Sequence, residues 1–348
     1  MDRNKKIHSI HALRGIAAVL VVVHHACQYL SLRGRGTGGL GEFYSGAFGV
    51  DIFFVISGFV IIASTPSNRG LSAIGGYLRR RAERVIPMYW IATAALGLSY
   101  LIFPSAFTTF QVSFVDFVKS ILFIPFQNES GQLRPVLTQG WTLYYECFFY
   151  IAFAIALFAE ETKRFAILTY LIFFAYALGS IFIDPKVEWV INSPLILEFL
   201  SGALLATWLR KDLEINVPSG LILSGILFSF VWAFSVDTHN EVGWGRVITW
   251  GLPAFSIVVC TYKLETTCRF FSRPEWGFIG DASYSIYLFH GFGITLAGKL
   301  LPNFLAMHPY SNITYLCFSG VLVGVVAHVV IENRINDQLR ILRMRRET

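Results

Sequence analysis

The sequence predicts an all-α, polytopic transmembrane helical bundle of about ten spans, with both termini cytoplasmic. Three observations carry that expectation. Hydrophobic residues fill 55% of the 348 positions and charged residues only 14%, with a mean hydropathy of +0.57, a balance that leaves too little polar side chain to cover a soluble globule. Apolar stretches of spanning length recur along nearly the whole chain. The basic residues fall on alternate connections, as the positive-inside rule requires. The first observation excludes a soluble enzyme. The third accounts for the net charge of +6 without invoking nucleic acid.

The ten stretches are 10–31, 46–65, 85–104, 140–159, 165–183, 189–209, 218–236, 246–262, 276–300 and 312–331. The first follows "MDRNKKIHSIHALRG", a basic start with no small-residue cleavage site, so it is expected to be a span and not a removable signal. The second carries Asp51 early, in "GVDIFFVISGF". The third is preceded by a basic run, "YLRRRAERVIPMYW". Between the third and fourth, "FVDFVKSILFIPF" (114–126) is too short to span and is broken by Asp116 and Lys119, which suits an interfacial or re-entrant helix. The fourth buries Glu146 in "GWTLYYECFFY". The sixth holds Glu198, the ninth His290 in "SYSIYLFHG", and the tenth ends near His328 and Glu332, four apart and expected to be a local helix-end pair. With the N-terminus inside, 20 of the 28 Lys and Arg lie on inner segments, and only Arg33, Arg35, Lys119, Arg134, Lys186 and Arg246 lie outside or at its edge. An odd number of spans would break that alternation. One membrane domain over 1–348, with no soluble C-terminal domain, is expected.

Within the first span, "LRGIAAVLVVVHHA", sit a permanent cation, Arg14, and two imidazoles, His24 and His25. Eleven helical steps of about 100° place His25 on the face of Arg14 and about 16 Å deeper, with His24 turned roughly 80° away. Ionisable groups inside a membrane are costly and usually line functional cavities. A cation at the cytoplasmic mouth and an imidazole at mid-depth describe one wall of a pocket opening inward. Arg81 and Arg84, three residues apart before the third span, place two guanidinium forks on one face, which suits a phosphate-bearing ligand. Cytoplasmic basic loops are also ordinary topological signals. Other signals weigh less. "GITLAGKL" has phosphate-loop spacing but Leu300 where Ser or Thr is needed, and it lies in a span. The five cysteines show no Cys-x-x-Cys spacing, so no disulfide frame or metal site is expected. Asn128 and Asn312 head glycosylation triplets that the topology puts outside.

Taken together, Arg14 and His25 with ten residues between them, "GVDIFFVISGF", the Arg-x-x-Arg of Arg81 and Arg84, "WTLYYE" ending in Glu146, and "SYSIYLFH" ending in His290 resemble the membrane acyltransferases of family 3, which O-acetylate exopolysaccharides, O-antigens and Nod factors. The resemblance covers about residues 8–332, and in wording and length it is greatest to the short exopolysaccharide acetyltransferases of the succinoglycan type. It implies an integral protein of the bacterial inner membrane that moves an acyl group, acetyl in the first instance, from cytoplasmic acetyl-CoA to a glycan or lipid-linked saccharide hydroxyl, with no metal. Arg14, Arg81 and Arg84 would hold the donor. His25 would act as general base or take the acetyl group transiently, either role needing a neutral imidazole. Glu146 would orient that ring or steady its protonated form, and Asp51 would help position a sugar. Trp141, Tyr145 and His290 are the expected substrate contacts.

Two other classes compete. A proton-coupled secondary transporter also keeps charges at mid-depth, and His25, Glu146 and Glu198 would serve as its relay, but no matching pair of Gly/Pro-broken segments is evident. A non-catalytic component of glycan export would use the aromatic surfaces alone. Neither would bind acetyl-CoA.

Overall fold

A computed structural model describes residues 7–41, 43–103, 113–127, 131–183, 189–210, 218–236, 243–265, 269–301 and 308–347. Cys268, the triplet at 128–130 and five of the counted basic residues (Arg3, Lys5, Lys6, Lys186, Lys211) lie outside them. Among the described residues every regular element is a helix. The larger ones are α1 (His8–Ser31), α2 (Phe48–Ser64), α3 (Leu71–Ile102), α4 (Phe114–Ile121), α5 (Trp141–Ala156), α6 (Glu161–Phe182), α7 (Ile196–Leu209), α8 (Ser219–Ser235), α9 (Trp244–Leu264), α10 (Pro274–Lys299) and α11 (Pro309–Arg345). Among the described residues six helical stretches are long and apolar enough to cross a membrane: His8–Ser31, Tyr44–Ser64, Leu71–Ile102, Glu161–Phe182, Trp244–Leu264 and Pro309–Arg345. All ten predicted stretches fall on helices.

Where boundaries differ from expectation, the cause is local chemistry. The stretch 189–209 yields a helix only from Ile196, because Pro194 holds Ser193 extended (φ −92°, ψ 129°). The remaining 14 residues reach about 21 Å, less than the roughly 30 Å of a hydrocarbon core. The third helix starts fourteen positions earlier than expected, at Leu71, just after Gly70 at φ 87°, a left-handed value suited to glycine. Arg79 to Arg84 therefore ride inside a continuous helix that also contains Pro87. The segment 114–126 supplies only the eight residues of α4, whose first turn is capped by Ser113 accepting from the Asp116 amide at 3.0 Å. His328 and Glu332 do pair, at 2.7 Å, but in a π-turn inside one continuous helix and not at its end. Asn312 is fully buried on α11, which removes it as a glycosylation site.

The chain divides into two compact units, Met1–Ser64 with Leu197–Thr348, and Thr65–Ile196. The first is built around α1, α10 and α11, whose buried Val22, Ala26, Leu30, Ile286, Ile294 and Leu316 share one apolar cluster. Its helices approach closely through glycine. A Cβ on Gly58 of α2 would collide with the Phe199 carbonyl of α7, and one on Gly202 of α7 with the Val55 carbonyl of α2, a reciprocal small-residue crossing of the kind membranes favour. The start of α1 is held from the end of α9, where Glu265 accepts the amides of His8 (2.9 Å) and Ser9 (2.5 Å). That carboxylate satisfies two orphan donors and complements the helix dipole.

The second unit holds α3 to α6. At one end Arg164 donates to the carbonyls of Pro66, Ser67 and Asn68, and the Gly70 amide donates to Leu157 O at 3.1 Å. The α2–α3 and α5–α6 connections are thereby tied together. Farther along α3, Tyr89 and Trp90 donate to the Ser120 and Ile121 carbonyls at the end of α4.

Candidate active site

In the first unit the helical register of α1 separates the two histidines as their spacing requires. His24 is buried, and its Nδ1 lies 3.0 Å from the Phe43 carbonyl. A carbonyl can only accept, so Nδ1 carries the proton and the ring is tied to the backbone. His25 is half-buried, with Nδ1 3.2 Å from Gln28 Oε1, one turn on. With that oxygen as acceptor, Nε2 of His25 keeps its lone pair. The His25 ring stacks on that of His290, centroids 5.0 Å apart and planes 25° from parallel. His290 is fully buried on α10 and its Nδ1 lies 3.1 Å from the Ile286 carbonyl, so it too carries its proton there. Its Nε2 has no hydrogen-bond partner among the described residues. Arg14 is half-buried on the same helix. The structure thus brings together His25 and His290, which the sequence places 265 positions apart.

Asp51 is also buried in this unit, but its oxygens are taken. Arg246 of α9 donates from Nε to Oδ1 at 2.9 Å and from Nη2 to Oδ2 at 2.8 Å, and the two side chains are 3% and 0% exposed. Arg246, counted above among the outer basic residues, is a buried partner and not a loop charge. Its guanidinium also lies 5.0 Å from the Trp250 ring. Glu198 is 2% exposed, within electrostatic reach of both Asp51 and Arg246. A lone carboxylate in an apolar span calls for a counter-charge; that was the available signal for Arg246.

The remaining candidates belong to the second unit. Arg81 is half-buried and Arg84 exposed on α3. The Arg81 guanidinium carbon lies 5.5 Å from the Tyr77 ring centre and 5.9 Å from that of Tyr150. Glu146 accepts a 3.0 Å hydrogen bond at Oε2 from the Tyr150 hydroxyl. Tyr145 is fully buried, so its ring offers no open face for a sugar; Trp141 packs edge-on against it at 5.7 Å and is itself half-buried, with Arg134 over its ring at 4.8 Å. Among the described residues no group of three or more His, Cys, Asp or Glu is placed to hold a metal ion.

A half-buried imidazole whose Nε2 carries a lone pair, on a membrane-length helix and backed by a second imidazole, is equipped to take a proton or an acyl group. The chain's likenesses agree with that chemistry. Exopolysaccharide production protein ExoZ of Rhizobium meliloti (strain 1021) is 31% identical over 297 residues, covering 84% of this chain and 90% of that protein. A Staphylococcus aureus (strain COL) protein named as an O-acetyltransferase is 22% identical over 335 residues, covering 82% of this chain and 50% of that protein, so the chain spans about half its length. No solved structure matches. The sequence model of the family described as "Acyltransferase domain" matches residues 7–331, from the first turn of α1 to the π-turn of α11 and through both units. The chain therefore belongs to the family 3 acyltransferases, and it is a membrane acyltransferase.

Proposed function

We propose that this enzyme is an O-acetyltransferase of the bacterial inner membrane, taking acetyl from cytoplasmic acetyl-CoA to a hydroxyl of an exported glycan, with exopolysaccharide as the first candidate. The observation that carries the reading is the His25–His290 stack, in which His25 is half-buried on α1 and His290 fully buried behind it. The acceptor O–H gives its proton to Nε2 of His25 as the oxygen attacks the thioester carbonyl. The C–S bond then breaks, and the CoA thiolate takes the proton back, leaving the imidazole neutral. The exopolysaccharide in the name of the ExoZ relative supports the acceptor class.

Arg14, Arg81 and Arg84 are assigned to the donor's phosphates. Glu146, which accepts from the Tyr150 hydroxyl beside Arg81, is assigned to the donor end. Asp51 acts through Arg246 to fix the second helix. Trp141 is assigned to the sugar and Tyr145 to the packing beneath it. Ten spans with cytoplasmic termini remain the topology of choice. The joined 65–70 and 157–164 connections support it, since both are inner segments in that scheme.

The test is transfer of labelled acetyl from acetyl-CoA to cell-surface polysaccharide in a strain lacking the gene, complemented with wild type, His25→Ala or His24→Ala. Label lost with His25→Ala at normal protein level, and kept with His24→Ala, is the expected result. Wild type without transfer, or both histidines dispensable, would overturn it in favour of a transporter.

A further inference from the structure

The connection that follows α1 carries two arginines that the reaction above does not use. Arg33 and Arg35 flank Gly34, whose φ of 63° ends the helix. The Gly34 amide donates to the Ser31 carbonyl at 2.9 Å and the Arg35 amide to that of Leu30 at 3.0 Å, the paired bonds of a glycine-terminated helix. The chain is thereby folded back on the helix end, which lies roughly 9 Å beyond His25 along the axis. The Arg33 guanidinium sits 3.6 Å from the Tyr29 ring centre, and its Nη1 donates to the Tyr29 carbonyl at 3.5 Å. Tyr29 packs on Gly298 of α10, where a Cβ would strike its ring, and Lys299 follows, exposed in the last turn of that helix. Three cations from two helices thus share one end of the first unit.

That end is short of negative charge. Among the described residues none of the three cations forms an ion pair. The acids on the same bundle gather toward the other end, Glu265 on the His8 and Ser9 amides, Asp281 on His11 and Glu332 on Ser285. A helix C-terminus accounts for one nearby cation. It does not account for three, or for Arg35, which is half-buried with Nη1 sealed from solvent and without an acceptor among the described residues. A sealed donor of that kind is costly until an acceptor arrives. In the topology proposed above this end faces outward, the side from which the positive-inside rule removes Lys and Arg. Guanidinium forks match the paired oxygens of a carboxylate or phosphate.

An open aromatic face stands beside the cations. The connection runs along the start of α11, with Gly36 against Pro309 and Gly38, at φ 64°, against the Tyr310 ring. Tyr310 donates its hydroxyl to the Gly38 carbonyl at 2.9 Å and is 65% exposed. The hydroxyl is committed to the connection while the ring stays open, and the negative face of such a ring suits the C–H groups of a sugar.

We propose that Arg33, Arg35 and Lys299, with the Tyr310 ring, form the entry site for an acidic acceptor, holding a carboxylate or phosphate of the saccharide chain while a hydroxyl farther along reaches His25. The proposal rests on the glycan-acceptor reading and names the acceptor class, an anionic saccharide. The cations bind the acceptor and take no part in the chemistry.

The experiment uses the full chain in phosphatidylcholine vesicles with labelled acetyl-CoA and polysaccharide from the strain lacking the gene. The acceptor is offered native, with its carboxylates reduced to alcohols, and as lipid-linked units before and after release from the lipid phosphate. Wild type is compared with Arg33→Gln, Arg35→Gln and Arg35→Lys. Each Gln variant raises the acceptor KM about 10-fold, the size of one lost hydrogen bond to a charged group, at nearly constant kcat and unchanged donor KM. Arg35→Lys, which keeps the charge, recovers part of the loss. If carboxyl reduction abolishes the difference between wild type and the Gln variants, the bound anion is a carboxylate of the saccharide; if release from the lipid abolishes it, the anion is the linking phosphate. A rise that persists with every acceptor form, a rise in donor KM, no rise, or one seen only after phosphatidylglycerol is added to the vesicles would overturn the site while leaving the acetyltransferase standing. Wild type inactive toward every acceptor form would instead overturn the glycan-acceptor reading itself.

Discussion

Replacing Asp51 by Asn removes the charge around which Arg246 is packed. The pair is 0% and 3% exposed and bidentate, with bonds of 2.9 and 2.8 Å, and removing one partner of such a pair costs about 3–5 kcal/mol because the other is left charged and unsolvated. Here a spare acid stands by. Glu198 is buried and lies within reach of both members of the pair. In Asp51→Asn it supplies a replacement negative charge, so the single variant loses only part of that stability. Glu198→Gln alone removes no needed charge and costs less than about 1 kcal/mol, the range of a neutral hydrogen-bond change. The double variant strands Arg246 and loses the full 3–5 kcal/mol, giving a coupling of about 2 kcal/mol between the two sites. At roughly 2–4 °C per kcal/mol, the double variant should melt about 6–20 °C below wild type. Heating detergent-solubilised protein and following the folded fraction by size-exclusion chromatography measures this. Strictly additive effects of the two substitutions, or a double variant melting within about 2 °C of wild type, would refute the argument that one carboxylate stands in for the other.

Gly58→Val should abolish accumulation of folded protein, because its Cβ meets the Phe199 backbone, which cannot swing aside as a side chain does. Gly75→Ala in α3 has open space around its Cβ and should stabilise by about 0.5–1 kcal/mol, read as a melting shift of the opposite sign in the same assay. Glu265→Gln weakens the cap on α1, which Glu265 serves through the His8 and Ser9 amides, and should cost about 0.5–2 kcal/mol. Hydrogen exchange confined to the first turn of α1 is the local readout, and unchanged protection there would count against the cap.

Helices were legible because apolar length alone specifies them in lipid, where every backbone group must be satisfied within its own segment. Their ends were less so, because they depend on single residues that a hydropathy window averages away. Pro194 shortens α7 by holding the residue before it extended, and Gly70 lets α3 begin fourteen positions early. The second effect altered the chemistry assigned to 79–84, since arginines on a helix flank have fixed neighbours four positions away, as Tyr77 and Arg81 are to one another.

The site was legible charge by charge and illegible pair by pair. Arg14, His25, Asp51, Glu198 and His290 each stood out as polar groups that lipid disfavours, and that argument also entails a partner for each carboxylate. It does not say which one. Arg246 lies 195 positions from Asp51, at the edge of a stretch where an outer-loop arginine is equally at home, so the rule that located the carboxylate placed its partner in the wrong environment. Tyr77 and Tyr150 carried no signal at all, because a tyrosine in a span is ordinary as an interfacial anchor. Only the packing of α3 on α5 distinguishes a hydroxyl that anchors a helix at an interface from one buried beside an arginine. A membrane sequence therefore announces its costly groups, while what offsets their cost becomes visible only when the helices are packed.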